Sequence, residues 1–139
     1  MKSITTGKVL VTLVALVTLF GAYIADWNHT HIFNPRWPPH AKFHNAQTML
    51  FGAVLGLLSL WFLWVQKGDR WVIFRLSITF ASLYWITQAM SILFPGTALF
   101  DPEFSYPGQW PVQFILDGVM FLLLIMAYFL ESKHLDKVK

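Results

Sequence analysis

Four stretches of nearly pure hydrocarbon, at about residues 7–25, 41–66, 71–94 and 111–131, leave this 139-residue chain little choice of fold. Each is close to the ~20 residues that a helix needs to cross the hydrocarbon core of a bilayer. Inside a bilayer the backbone must satisfy its own polar groups, which makes helices of such runs. Composition agrees, since 12% of the residues are charged against ~25% in a soluble domain. The expected fold is all-α, a bundle of four transmembrane helices forming one integral membrane domain over residues 1–139. No internal repeat and no low-complexity segment interrupts it.

The basic residues bear on orientation rather than on nucleic acid, because the net charge of +3 is scattered along the chain. Eight of the ten Lys and Arg lie at the N-terminus (Lys2, Lys8), in the second loop region (Lys67, Arg70, Arg75) and in the tail (Lys133, Lys137, Lys139). Arg36 and Lys42 are the other two. The positive-inside rule then places both termini in the cytoplasm, N-in and C-in. The membrane is expected to be a bacterial inner membrane or a eukaryotic endomembrane. The first apolar run is long for a signal peptide, and Tyr23-Ile24-Ala25 is a poor cleavage site, so it reads as a retained helix. With no cysteine, one chain forms neither a disulfide nor a thiolate metal site.

Leading from the end of the first run into the second is the segment DWNHTHIFNPRWPPHAKFHNAQTMLFG, from Asp26 to Gly52. It holds four of the five histidines (His29, His31, His40, His44) together with Pro35, Pro38 and Pro39. Prolines remove donors and disfavour helix in the residue before them, so the segment reads as a stiff loop until Pro39, which suits a first helical turn. Trp27, Trp37 and Trp110 fit interfacial anchors. Asn28-His29-Thr30 matches a glycosylation acceptor. Gly52 and Gly56 form a small-xxx-small pair that lets another helix approach. The tail ESKHLDKVK reads as a solvated, mixed-charge end in which His134 is inert.

At 1.5 Å of rise per residue, polar groups of three helices fall in one layer. His44 lies ~6 Å and Gln47 ~10 Å below His40, Gln88 lies ~9 Å and Tyr84 ~15 Å below the end of helix 3, and Asp117 lies ~9 Å below the start of helix 4. His40, His44, Gln47 and Thr48 share a stripe of helix 2 by their spacing. Tyr84, Gln88 and Ser91 form a second stripe, and Gln113 with Asp117 a third. An ionisable group within a span normally faces the bundle interior with a partner. The expected partner of Asp117 is a histidine of helix 2.

Three chemistries are open to such a group. A histidine pair at i, i+4 holds a metal ion with a carboxylate as third ligand. One imidazole serves as the axial ligand of a haem, with a neighbour orienting its other nitrogen. Without a metal, His44 works as a general acid or base tuned by Asp117. For the ligand role His44 is expected over His40, since it is a turn deeper and has Asn45 and Gln47 beside it. No nucleophile elbow, phosphate loop or HExxH motif is present, so serine hydrolysis, phosphoryl transfer and zincin proteolysis lack support.

The layout resembles that of styrene oxide isomerases, small four-span bacterial membrane enzymes. The similarity rests on Leu19-Phe20-Gly21 near the end of helix 1 and on Trp37 followed by His40 at the start of helix 2. It also rests on Phe94-Pro95-Gly96 after helix 3 and on the Gly- and Pro-containing loop leading to Trp110. The resemblance implies haem b, an epoxide rearranged to an aldehyde, His44 or His40 as iron ligand, and Tyr84 on the substrate. The family's helix-2 asparagine has no clear counterpart, so Gln47 or Thr48 would take its place. FNPRWPPHAKFHNAQT is similar, too, to a family of small membrane proteins without an established function.

The expected function is therefore a membrane enzyme acting on a small lipophilic substrate, a haem- or metal-assisted isomerase. Tyr84, Gln88, Asp117 and Gln47 would be its catalytic groups, and His44 and His40 its cofactor ligands. The cofactor would be haem b, or alternatively one divalent metal ion or none. Membrane lipid and a second copy of the chain are the expected partners, with no nucleic acid. The alternative is a non-catalytic membrane protein that binds a small molecule or lipid, or a subunit of a larger complex.

Overall fold

In a computed structural model, which describes residues 3–136, the chain forms four long helices: α1 (Thr6–Asp26), α2 (Pro39–Trp64), α3 (Arg70–Met90) and α4 (Val112–Asp136). Lys2, Lys137 and Lys139, three of the charges used for orientation, lie outside the described residues. All four helices are long and apolar enough to cross a membrane. Consecutive helices pack side by side, and α4 closes the ring against α1. Their ends follow local chemistry. Thr5 caps α1 by accepting the Lys8 amide, and Pro39 opens α2 in the first turn. Asp69 caps α3 by accepting the amides of Trp71 and Val72, both at 2.9 Å. A 3₁₀ turn, Ser91–Leu93, extends α3 before Pro95-Gly96 ends it.

The core is built from Val11, Val14, Leu63, Phe74, Ala81, Trp85, Met120, Leu124 and Ala127. Polar residues inside it are satisfied between helices. Ser59 and Ser77 donate to each other's carbonyls at 2.9 Å, tying α2 to α3. The Trp85 indole donates to Thr18 at 2.9 Å, and the Trp64 indole to Thr12 at 3.0 Å. Large apolar residues such as Leu57, Ile86, Leu122 and Phe129 cover the outside, as a lipid-facing surface requires.

The expectation for Gly52 and Gly56 holds: both are buried where α2 meets α1. A Cβ on Gly56 would lie 2.6 Å from the Ala15 carbonyl oxygen, and one on Gly52 would lie 2.9 Å from the Thr18 oxygen. Close backbone approach is what small residues provide in membrane bundles. The reading of the tail is corrected in part. α4 runs on to Asp136, and Glu131, the first residue of that tail, is 1% exposed and accepts the hydroxyl of Thr5. Gly7 makes room for it, since a Cβ there would sit 2.8 Å from the Glu131 carboxylate. Burying a carboxylate is tolerable only with such a partner.

Candidate functional site

The α1–α2 and α3–α4 connections lie at the same end of the bundle, and hydrogen bonds within and between them shape the site. Asn28 donates to the Ala25 carbonyl at 2.6 Å and accepts the Thr30 amide and hydroxyl at 2.8 and 2.6 Å, forming a turn directly after α1. Its amide is thus committed to the fold, which speaks against glycosylation there. Asn34 is 1% exposed. It donates to Glu103 at 3.2 Å and accepts the Arg36 amide at 2.9 Å, while the Arg36 guanidinium pairs with Glu103. A side chain of the first loop thereby straps down the second. Asn34→Ala is expected to cost ~1–3 kcal/mol, the usual loss when buried partners are left unsatisfied, read as a lower midpoint of thermal unfolding in detergent.

The turn at Asn28 also orients His31. The Thr30 hydroxyl spends its one proton on Asn28, so it presents a lone pair to His31 Nδ1 at 2.7 Å. Nδ1 therefore carries a hydrogen, and Nε2 is left facing Asp26 at 3.8 Å. Protonated, the ring forms an ion pair with Asp26; deprotonated, Nε2 offers a lone pair. Asp26 is held from the other side by the Asn45 amide at 2.7 Å. Trp37 packs edge-on against the imidazole at 5.3 Å between centroids.

This pair lines a cavity of about 550 Å³ between the helices, within the range that takes small molecules. Thr48, Tyr84, Gln88 and Gln113 complete its polar wall, and Ala22, Phe51, Trp85 and Leu116 give apolar surface. A smaller chamber of about 140 Å³ adjoins it through Gln88, Ser91 and Gln113, and Asp117 lies in its wall. Asp117 is 3% exposed and neither carboxylate oxygen has a hydrogen-bond partner among the described residues. The Tyr84 ring is fixed against α2 by the space over Gly52.

Tyr84, Gln88, Gln113 and Asp117, expected from the sequence to share one layer, lie around the two chambers. The structure places the histidines of α2 elsewhere. His40, His44 and Gln47 are exposed and line neither chamber. The His40 and His44 Nε2 atoms lie 3.0 Å apart, and Gln47 accepts from His44 Nδ1 at 3.2 Å. The expected pairing of Asp117 with one of them is not formed. The rotation of α2 explains this, because its buried stripe runs through Met49, Gly52, Gly56, Ser59 and Leu63. Extended one turn upward, that stripe reaches Asn45, with Thr48 beside it, and leaves His44 turned outward. The glycine stripe was the signal that would have found Asn45. Asp26 and His31 were missed as site residues because their approach depends on the turn at Asn28.

Among the described residues no three His, Asp or Glu side chains converge on a common point. His31 has Nδ1 on Thr30 and Nε2 towards Asp26, while His40 and His44 lie on the outer face. Among the described residues His31 is the one histidine that lines the cavity, and because its Nε2 faces the Asp26 carboxylate, a haem enclosed by one chain would have to displace that pairing.

The fold and the cavity together define a multi-pass integral membrane protein, a four-helix bundle with a chamber at one end whose largely apolar wall carries several polar side chains. Residues 10–137 match a family model described as a family of unknown function, DUF6640, and the chain belongs to that family. No curated protein and no solved structure matches it.

Proposed function

We propose that the protein is a membrane-embedded enzyme that binds a small lipophilic molecule in the larger chamber and isomerises it by moving a proton. The observation that carries this reading is the set of polar side chains gathered around the two adjoining chambers, with a buried, unpartnered carboxylate among them. The two carboxylate oxygens of Asp117 are buried without a partner among the described residues, and the Tyr84 hydroxyl and the side-chain amides of Gln88 and Gln113 belong to residues that line the same spaces. Polar groups without partners are costly within a bilayer, and a bound molecule supplies what is missing. His31 Nε2, held by Thr30 and facing Asp26, takes a proton from one atom of the substrate and returns it to another, with Asp26 stabilising the imidazolium formed between the two steps. Tyr84 donates a hydrogen bond to a substrate oxygen. Epoxide opening and double-bond migration are both of this type, and neither consumes a co-reactant. Both termini would face the cytoplasm, with the chamber near the opposite surface.

The test is conversion of lipophilic epoxides or alkenes to products of unchanged mass by the purified protein, compared with Tyr84→Phe. The variant is expected to lose ~10²-fold or more, the scale of one positioned donor. Saturable binding without any conversion would instead support the binding-protein reading.

A second reading is favoured by the 3.0 Å separation of the His40 and His44 ring nitrogens on an exposed face. That pair would hold a divalent ion, or one of its members a haem iron, between two copies of the chain, supplying a Lewis acid or redox centre there. Visible spectra and metal analysis of the purified protein decide it. The proton-transfer reading expects His40→Ala and His44→Ala to leave turnover within about twofold, well below the losses seen at catalytic groups.

A further inference from the structure

We infer that the smaller chamber receives the ammonium head of a small lipophilic amine, with Asp117 as its counter-ion, an inference that rests on the cavity reading above. Asp117 is 3% exposed, its carboxylate lacks any hydrogen bond, and no ion pair reaches it among the described residues. Among the described residues no Lys or Arg lines either chamber, and the one basic ring there, His31, already faces Asp26. A buried carboxylate needs a cation or a full set of donors to remain charged, and among the described residues neither a cation nor a hydrogen bond reaches this one.

The remaining groups suit the same ligand. An ammonium has only N–H donors to offer, and the chamber is lined by residues that carry acceptors: the carboxylate of Asp117, the side-chain amides of Gln88 and Gln113, and the hydroxyls of Ser91 and Thr97. Size separates head from body. About 140 Å³ accommodates a head group, whereas the adjoining 550 Å³, with Phe51, Trp85 and Leu116 on its wall, takes the apolar remainder. Gln88, Ser91 and Gln113 border both spaces, so a molecule headed by Asp117 extends towards Tyr84 and His31.

The experiment compares phenylbutylamine with phenylbutanol, a neutral molecule of nearly equal shape, as ligands of the full chain in phosphatidylglycerol nanodiscs, with empty discs subtracted. The wild type is expected to bind the amine about ten- to a hundredfold more tightly, as one charge-assisted hydrogen bond provides, and Asp117→Asn is expected to abolish that preference. Asp117→Glu, which keeps the charge, retains part of it and serves where the Asn variant does not fold. Equal wild-type binding of the two, weakened alike by Tyr84→Phe, would overturn the amine assignment and leave the cavity reading standing. Binding of neither would remove both. Repeating the titration with phosphatidylethanolamine in the discs separates the two sources of an ammonium group. Unchanged amine affinity supports a free amine, and strong competition would overturn it in favour of a lipid headgroup.

Discussion

His31→Ala is expected to lower turnover of a lipophilic substrate by ~10²–10⁴-fold, the contribution of a positioned general base, while the helical content of the purified protein is unchanged. The ring sits in the loop beyond α1 and its neighbours are Thr30, Asp26 and Trp37, so its removal disturbs no helix packing. Asp26→Asn should lower turnover less, because the turn at Asn28 and the Thr30 oxygen still hold the ring while the charge that stabilises the imidazolium is gone. A purely structural role for His31 would predict the reverse pattern: a lower unfolding midpoint, with the turnover of the surviving folded protein unaltered. Kinetics of the two variants, paired with circular dichroism, separate these outcomes.

Gly56→Val should have the largest effect on stability. Its Cβ would meet the Ala15 carbonyl oxygen at 2.6 Å and the Leu19 backbone nitrogen at 2.8 Å, neither of which is a flexible side-chain end. The two helices must separate, and overpacking of this kind costs ~1–3 kcal/mol or more. Separation would propagate to Gly52, which sits between Thr18 and the Tyr84 ring, so the chamber wall should loosen as well. Gly118→Ala is the control, since nothing lies within 4 Å of a Cβ there. It is expected to be neutral or to stabilise by ~0.5–1 kcal/mol through helix propensity. Unfolding in detergent monitored for both variants gives the comparison, and similar midpoints for the two would contradict the packing described for α1 and α2.

Much of this was legible in the residues. Apolar runs of membrane-spanning length settle the number of helices because nothing else satisfies a backbone in lipid. Fixed rise per residue then gives depth, which is why Tyr84, Gln88 and Asp117 were expected close together, as the chamber linings place them. Rotation is another matter. The polar stripe of His40, His44 and Gln47 and the small-residue stripe of Gly52 and Gly56 compete for the interior face of α2. The glycines prevail because close packing along most of the helix outweighs a few polar groups near its exposed end, where water and headgroups solvate them. Asp26 and His31 are five positions apart across a helix end, and only the turn formed by Asn28 and Thr30 brings them together. Glu131 was read as tail because the apolar run weakens there, yet Gly7 and Thr5 lie far away in sequence and supply both its space and its partner.

Whether the chamber is the binding site is tested most directly by photolabelling with a small lipophilic diazirine, followed by peptide mapping. Labelling is expected at Thr48, Phe51, Tyr84 and Leu116, which line the cavity from three helices, and it should fall when unlabelled amine or alcohol is added. Labels confined to outward residues such as Leu57 and Leu122, or to the His40–His44 face, and indifferent to competitor, would contradict the assignment of the cavity.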